Sequence, residues 1–259
     1  MTKYQTGYSD INPSLFNDRS RIVKSKKIVT IIKDFSKADL KSKRCLEVGC
    51  STGINTNFFA DFFLECTGID IDDKAVNYGF HHRKQNVQFI IGDAMRLPFG
   101  ENLFDVVVCN HVYEHVPDSH ELMNEIFRVL KPGGLCYFGA GNKFSLMEGH
   151  YHLPFLSWLP KPFANKYLQI TQKGELYYEN HLSYSTLKQL VKKFIIADYT
   201  LKIVKNPKQF GAEDMIRQNS ILTRLPNVVL KAALFLIPTY IFILRKPFDN
   251  ELESDDSIH

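Results

Sequence analysis

The chain has 259 residues, 44% hydrophobic and 23% charged, with 14 Gly and 11 Pro, a mixture that excludes collagen-like repeats and general disorder. It is long enough for one large domain or two small ones without help from disulfides. The formal charge of +4 is unevenly laid out: residues 1–44 carry 11 basic and 4 acidic side chains, residues 192–246 carry 10 and 3, and residues 45–191 carry 11 and 16. Basic flanks suit an anionic membrane surface, nucleic acid or an acidic small molecule, and scattered solvated lysines need none of these.

In chain order, residues 20–37 set Ile22, Val23, Ile28, Val29, Ile31, Ile32 and Phe35 among lysines at helical spacing. Cys45 to Val48 is a short apolar strand ending in Gly49-Cys50-Ser51-Thr52-Gly53, and a helix-like run begins at Asn57. A strand at 65–70, a helix at 73–83 and a strand at 87–91 follow. Phe104 to Cys109 reads as a strand buried on both faces, Ser119 to Leu130 as a helix, and Leu135 to Gly139 as a further strand after the stop at Lys131-Pro132-Gly133-Gly134. This alternation predicts an α/β fold with an open sheet and right-handed crossovers.

Beyond residue 140 the aromatic, Pro- and His-rich stretch 144–182 reads as an insertion over the open end of the sheet. Residues 185–194 are predicted helical and 199–205 a strand. The apolar run 225–244 is nominally long enough to span a bilayer, but Pro238 divides it into a helix to about Ile237 and an edge strand from Tyr240. The last thirteen residues hold five acids and no Lys or Arg and read as a solvated tail. The five cysteines, 45, 50, 66, 109 and 136, form no CxxC pair and look like small core residues. With no export signal in the first residues, a cytoplasmic location is expected.

A parallel strand, a glycine turn and a helix N-terminus make a site for a polar ligand. Here Glu47 closes the first strand, Asp70 the second and Asp93 the third. An acid at position 70 is placed to accept from ribose hydroxyls, and one at 93 from an exocyclic amine. An adenosine stretched across three strand ends satisfies all three. A dinucleotide fits less well, since the full G-x-G-x-x-G is missing and Glu47 repels a pyrophosphate. Gly49 to Gly53 also spells G-x-S-x-G, a hydrolase elbow with Ser51 as nucleophile and Asp105, Asp118, His150 or His181 as partners.

The blocks CLEVGCSTG, GIDID, GDAMRLPF, FDVVVCNHVYEHVPD and LKPGG resemble class I S-adenosylmethionine-dependent methyltransferases, in the small-molecule branch, over about residues 44–140. The resemblance implies a Rossmann-like, seven-stranded, mostly parallel sheet with an antiparallel last strand and helices on both faces. It implies a helical segment at 1–43 covering the cofactor, a methyltransferase domain at 44–246 with substrate-side insertions at 141–182 and 210–237, and an acidic tail at 247–259. By the same resemblance Glu47, Gly49, Cys50, Ser51 and Gly53 serve the methionine part of S-adenosylmethionine, with Arg19 pairing its carboxylate. Asp70 and Ile71 hold the ribose and adenine, Asp93, Ala94 and Met95 the adenine edge, and Asn110 stands beside the sulfonium. Ser51 replaces the family's commoner glycine. A looser resemblance links the chain to enzymes of bacterial envelope-glycan clusters.

The cofactor carries the reactive carbon, so the protein has to align an acceptor and, for a hydroxyl, remove a proton. His111, His150 and His152 are the candidate bases. His111, Glu114 and His115 form half a metal site at most, and no metal is expected. The expected acceptor is a small molecule, a glycan or lipid-linked hydroxyl met at an anionic membrane surface. Nucleic acid is not expected, for want of an aromatic and basic platform. The alternative is a non-catalytic subunit that binds the same cofactor.

Overall fold

The computed structural model describes residues 6–252. Helix α1 (Asp18–Ser36) starts at Asn17, whose side chain accepts the Ser20 N–H, and stops at Lys37 in the left-handed conformation. Seven strands follow: β1 (Arg44–Val48), β2 (Glu65–Asp70), β3 (Val87–Ile91), β4 (Phe104–Asn110), β5 (Leu130–Gly141), β6 (Ile195–Asp198) and β7 (Thr239–Arg245). They form one sheet in the order β3-β2-β1-β4-β5-β7-β6. Neighbours from β3 to β5 pair in parallel, and β7 runs antiparallel to both β5 and β6.

Strand alternation divides the core between two faces. Cys45, Val106 and Val108 face α1, Phe59 of α2 (Ile54–Phe59) and Val76 of α3 (Asp73–His81). Leu46, Val107 and Cys109 face Leu122, Met123 and Ile126 of α4 (Ser119–Val129). Asp72 caps α3 by accepting the Ala75 N–H, and Asp118 caps α4 by accepting from His120 and Glu121. All five cysteines are buried and free. The strand order reverses between β1 and β4, so a crevice opens at the carboxyl ends of the sheet there.

Three predicted elements differ. Residues 199–205 are not a strand: β6 ends at Asp198, whose carboxylate accepts the Thr200 N–H and starts α7 (Thr200–Lys205). Tyr199 and Ile203, four apart, bury the same helical face. β7 is an interior strand, with β6 outside it, because Tyr240 to Leu244 are buried on both faces. The helix expected up to Ile237 is broken into Asn227–Ala232 and the 3-10 turn Leu234–Leu236. Among the described residues no helix is long and apolar enough to cross a membrane.

The segment between β5 and β6 adds a small core of its own, Leu153, Leu156, Ala164, Leu168 and Tyr177, around α5 (Lys161–Ile170). It then leads into α6 (Tyr184–Leu190). Residues 210–237 pack elsewhere, burying Phe210 and Ala212 on the α1 face. The tail expected from residue 247 begins with a short helix, Asp249–Leu252, held by a two-pronged pair between Arg245 and Glu251. Its remainder lies outside the described residues.

Candidate functional site

The crevice is a cavity of about 510 Å³, within the range of small-molecule sites. Its floor is built by the β1 turn. Gly49, at φ +73°, and Cys50 both donate to the Ile69 carbonyl, at 2.9 and 3.0 Å. Ser51 then turns at φ +50° and donates its N–H to Asp70 Oδ2 at 2.7 Å. Asp70 Oδ1 accepts the Asp72 N–H at 3.0 Å. Burial raises the Asp70 pKa against these backbone hydrogen bonds. Ser51 Oγ is buried without a hydrogen-bond partner among the described residues.

Gly49, Ser51, Asp70, Ile71, Asp93, Ala94, Met95, Asn110, His111, His150 and His152 all line this one cavity. Glu47, Cys50 and Gly53 do not: they shape it from below. Glu47 is 3% exposed and accepts from Asn55 Nδ2 at 3.0 Å and Thr56 Oγ1 at 2.5 Å, pinning the first turn of α2 under the glycine turn. Burial pushes its pKa up to about 7, against those two hydrogen bonds and the Arg21 charge. Gly53, at φ +70°, leaves no room for a side chain, since a Cβ there would lie 2.3 Å from the Phe89 ring.

Arg19 is exposed and lies outside the cavity. Arg21, two residues on, lines it with Ser20 and Lys24 and feels Glu47 and Asp70. The helical period explains the displacement. Positions 20, 21 and 24 share a face of α1, and 19 does not. Tyr8, Asn12 and Leu15 complete the cover from the N-terminal segment. No residue of 210–237 lines the cavity.

The other end is made by the turn after β4 and by the insertion. His111 sits at φ +56° with its N–H on the Gly139 carbonyl at 2.8 Å, and its Nδ1 is 3.0 Å from Glu114 Oε1. Glu114 is fully buried. Burial raises its pKa, but the His111 hydrogen bond and the charges of His111, His115 and His181 outweigh it and hold the carboxyl at about 2. His115 lines the cavity between the rings of Tyr8 and His150. Burial pulls its pKa down to about 4.

His150 Nδ1 lies 2.8 Å from Glu148 Oε1, and His152 is exposed at the rim. Sequence reasoning assigned no role to Glu148 or Glu179 and offered His181 only as a hydrolase partner, since all three lie outside the strand motifs. Their signal was there only as acids and histidines inside an aromatic-rich insertion. The hydrolase elbow is not supported by the geometry. Ser51 Oγ has no base in hydrogen-bond reach, Asp105 is tied to Arg44 and Lys131, and Asp118 is a helix cap.

Comparison with known proteins agrees with this architecture. Residues 46–138 match the family described as a methyltransferase domain. A fatty-acid O-methyltransferase of Mycolicibacterium smegmatis is 34% identical over 122 residues, 44% of this chain and 43% of that protein. A ubiquinone biosynthesis O-methyltransferase of Coxiella burnetii is 29% identical over 146 residues, 53% of this chain and 61% of its own length. The chain thus spans about half the length of the curated relatives it matches. A protein from Pyrococcus horikoshii, 18% identical, shares the fold with a TM-score of 0.61 over 92% of this chain and 98% of its own.

Proposed function

We propose that this chain, a member of the class I S-adenosylmethionine-dependent methyltransferases through its domain at residues 46–138, methylates a hydroxyl of a small-molecule acceptor. The observation that carries the reading is the meeting of Asp70, Asp93 and the Gly49–Ser51 turn, from three strand ends, in one cavity with Asn110 and His111. The residues present fit the cofactor. Asp70 keeps two lone-pair sites beyond its backbone hydrogen bonds, enough for two ribose hydroxyls. Ser51 Oγ, buried and unpartnered, suits the polar methionine end, with Arg21 available for its carboxylate. When bound, S-adenosylmethionine supplies an electrophilic methyl group.

His111 is the base this reading favours. Its Nδ1 is held by the buried Glu114 carboxylate, which fixes Nε2 as the proton-accepting nitrogen. Tyr8, Asn12 and Leu15 line the cavity from the N-terminal segment, where closing over bound cofactor would shield the transfer from water. The finer reading of the acceptor is a glycan or lipid-linked hydroxyl. It is supported by the exposed apolar side chains Phe155, Phe163 and Ile170 on the insertion, and by relatives whose names place their methyl groups on oxygen.

The test is transfer of labelled methyl from S-adenosylmethionine to a panel of hydroxyl acceptors with and without an apolar tail. His111→Ala is expected to lower turnover by about 100-fold while cofactor affinity changes little. Equal turnover by the variant excludes His111 as base, and no cofactor binding by the intact chain overturns the whole reading. Equal use of tailed and untailed acceptors removes the lipid-linked part.

A further inference from the structure

We infer that Glu148, His150 and His181 bind a divalent cation of the zinc class beside the cavity. None of the three lies within the methyltransferase-domain match, and the cofactor end of the site does not use them. The loop is built around the carboxylate. Glu148 Oε2 accepts the N–H groups of His150 at 2.8 Å and Tyr151 at 2.7 Å, which leaves Oε1 facing two imidazoles. Oε1 is 2.8 Å from His150 Nδ1 and 3.4 Å from His181 Nε2.

Donor atoms about 2.0–2.2 Å from a tetrahedral ion stand roughly 3.3–3.5 Å apart. The His181 contact is long for a hydrogen bond and has that separation. The three donor atoms all lie within 4.8 Å of one another. Two nitrogens and one carboxylate oxygen suit zinc and neighbouring d-block ions and not magnesium or calcium, which take oxygen.

The surroundings hold donor capacity that the protein's own groups leave unused. His181, its side chain 7% exposed, has Nδ1 without a partner among the described residues, and so has Glu114 Oε2 on a fully buried side chain. Beside Gly141, the His181 ring and Glu114 Oε1 converge on the same small space. Glu114, His115 and His150 form a second group of donors within 4.8 Å, so His150 is the pivot of the cluster. Buried carboxylates are costly unless cations answer them, and a bound divalent ion does so directly.

Three protein donors leave a tetrahedral ion one open position. His150 also lines the cavity, so the ion would border the acceptor end, a role that rests on the transfer reading, whereas cation binding itself does not.

The experiment loads the full chain, stripped with chelator, with zinc alone and follows binding by calorimetry and bound metal by mass spectrometry. One equivalent with a Kd below about 10 μM is expected. Glu148→Gln and His181→Gln each weaken it by about 100-fold, and His120→Ala, on the exposed start of α4, leaves it unchanged. Cobalt loading of the unmutated chain reads the site without any variant, through the visible bands of a four-coordinate nitrogen and oxygen site. No binding by the intact chain overturns the inference, as does undiminished binding in both folded variants. S-adenosylhomocysteine affinity, measured alongside, separates failure of the cation site from failure of the methyltransferase reading.

Discussion

Replacing Asp70 with Ala tests the ribose contact on which the cofactor reading stands. A carboxylate offers about four lone-pair sites. The Ser51 and Asp72 N–H groups occupy two of them, at 2.7 and 3.0 Å, and two remain for hydroxyls in the cavity. Hydrogen bonds to a charged group contribute about 1.5–3 kcal/mol each. Burial already raises the pKa of this carboxyl, so desolvation offsets part of that gain. The net expected loss is about 2–3 kcal/mol, a roughly 30- to 150-fold rise in Kd.

Calorimetry with S-adenosylhomocysteine measures the loss. A ligand analogue lacking both ribose hydroxyls closes the cycle, because the unmutated chain should lose a similar amount on that analogue and Asp70→Ala should lose nothing further. Asp70→Asn, which keeps one acceptor for the turn, controls for collapse of the Ser51 loop. Affinity unchanged in a folded Asp70→Ala chain refutes the reasoning. So does an equal penalty for the analogue in both proteins.

Gly53→Ala should lower stability by about 2–5 kcal/mol, combining about 1–2 for a left-handed Ala with about 1–3 for overpacking against Phe89, as read by urea unfolding. The Glu47 carboxyl, raised by burial to about 7 from the ordinary 4.5, keeps a proton in the folded chain that the unfolded chain has already lost between those values. Its contribution is therefore fully present below about pH 4.5 and falls away as pH rises through 7, by up to ~3 kcal/mol. The difference in unfolding free energy between the unmutated chain and Glu47→Gln, followed from pH 4.5 to 8, should show this slope, and a flat difference contradicts it.

The parallel core was legible because its strands are short continuous apolar runs that end in glycine and acid, as at Val48-Gly49 and Ile69-Asp70. Local chemistry dictates those elements. Tyr199 to Lys205 was misread because an alternating string of apolar and basic residues satisfies both periods over seven positions. What decides it is the Asp198 cap and the burial of Tyr199 and Ile203 on one face, neither of which a short window shows. Arg19 and Arg21 differ by two positions in sequence and by nearly half a turn of helix, so the choice between them needed the phase of α1 against the sheet.

The acceptor end was legible only as single residues, His111, His150 and His152, and not as a cluster. Its residues come from three separate segments, 111–115, 148–152 and 179–181, joined only by tertiary contacts such as the Leu182 N–H on Tyr113 OH at 3.0 Å. Their pairing bears on the chemistry. Methyl transfer discharges the positive sulfonium, so free carboxylates beside it hold the ground state more strongly than the transition state and slow the step. Glu114 and Glu148 are each engaged by at least one imidazole, at 3.0 Å for His111 and 2.8 Å for His150. On the proposed reading, histidine pairing, or the cation inferred above, answers the negative charge of the buried glutamates and leaves His111 Nε2 available for the acceptor proton.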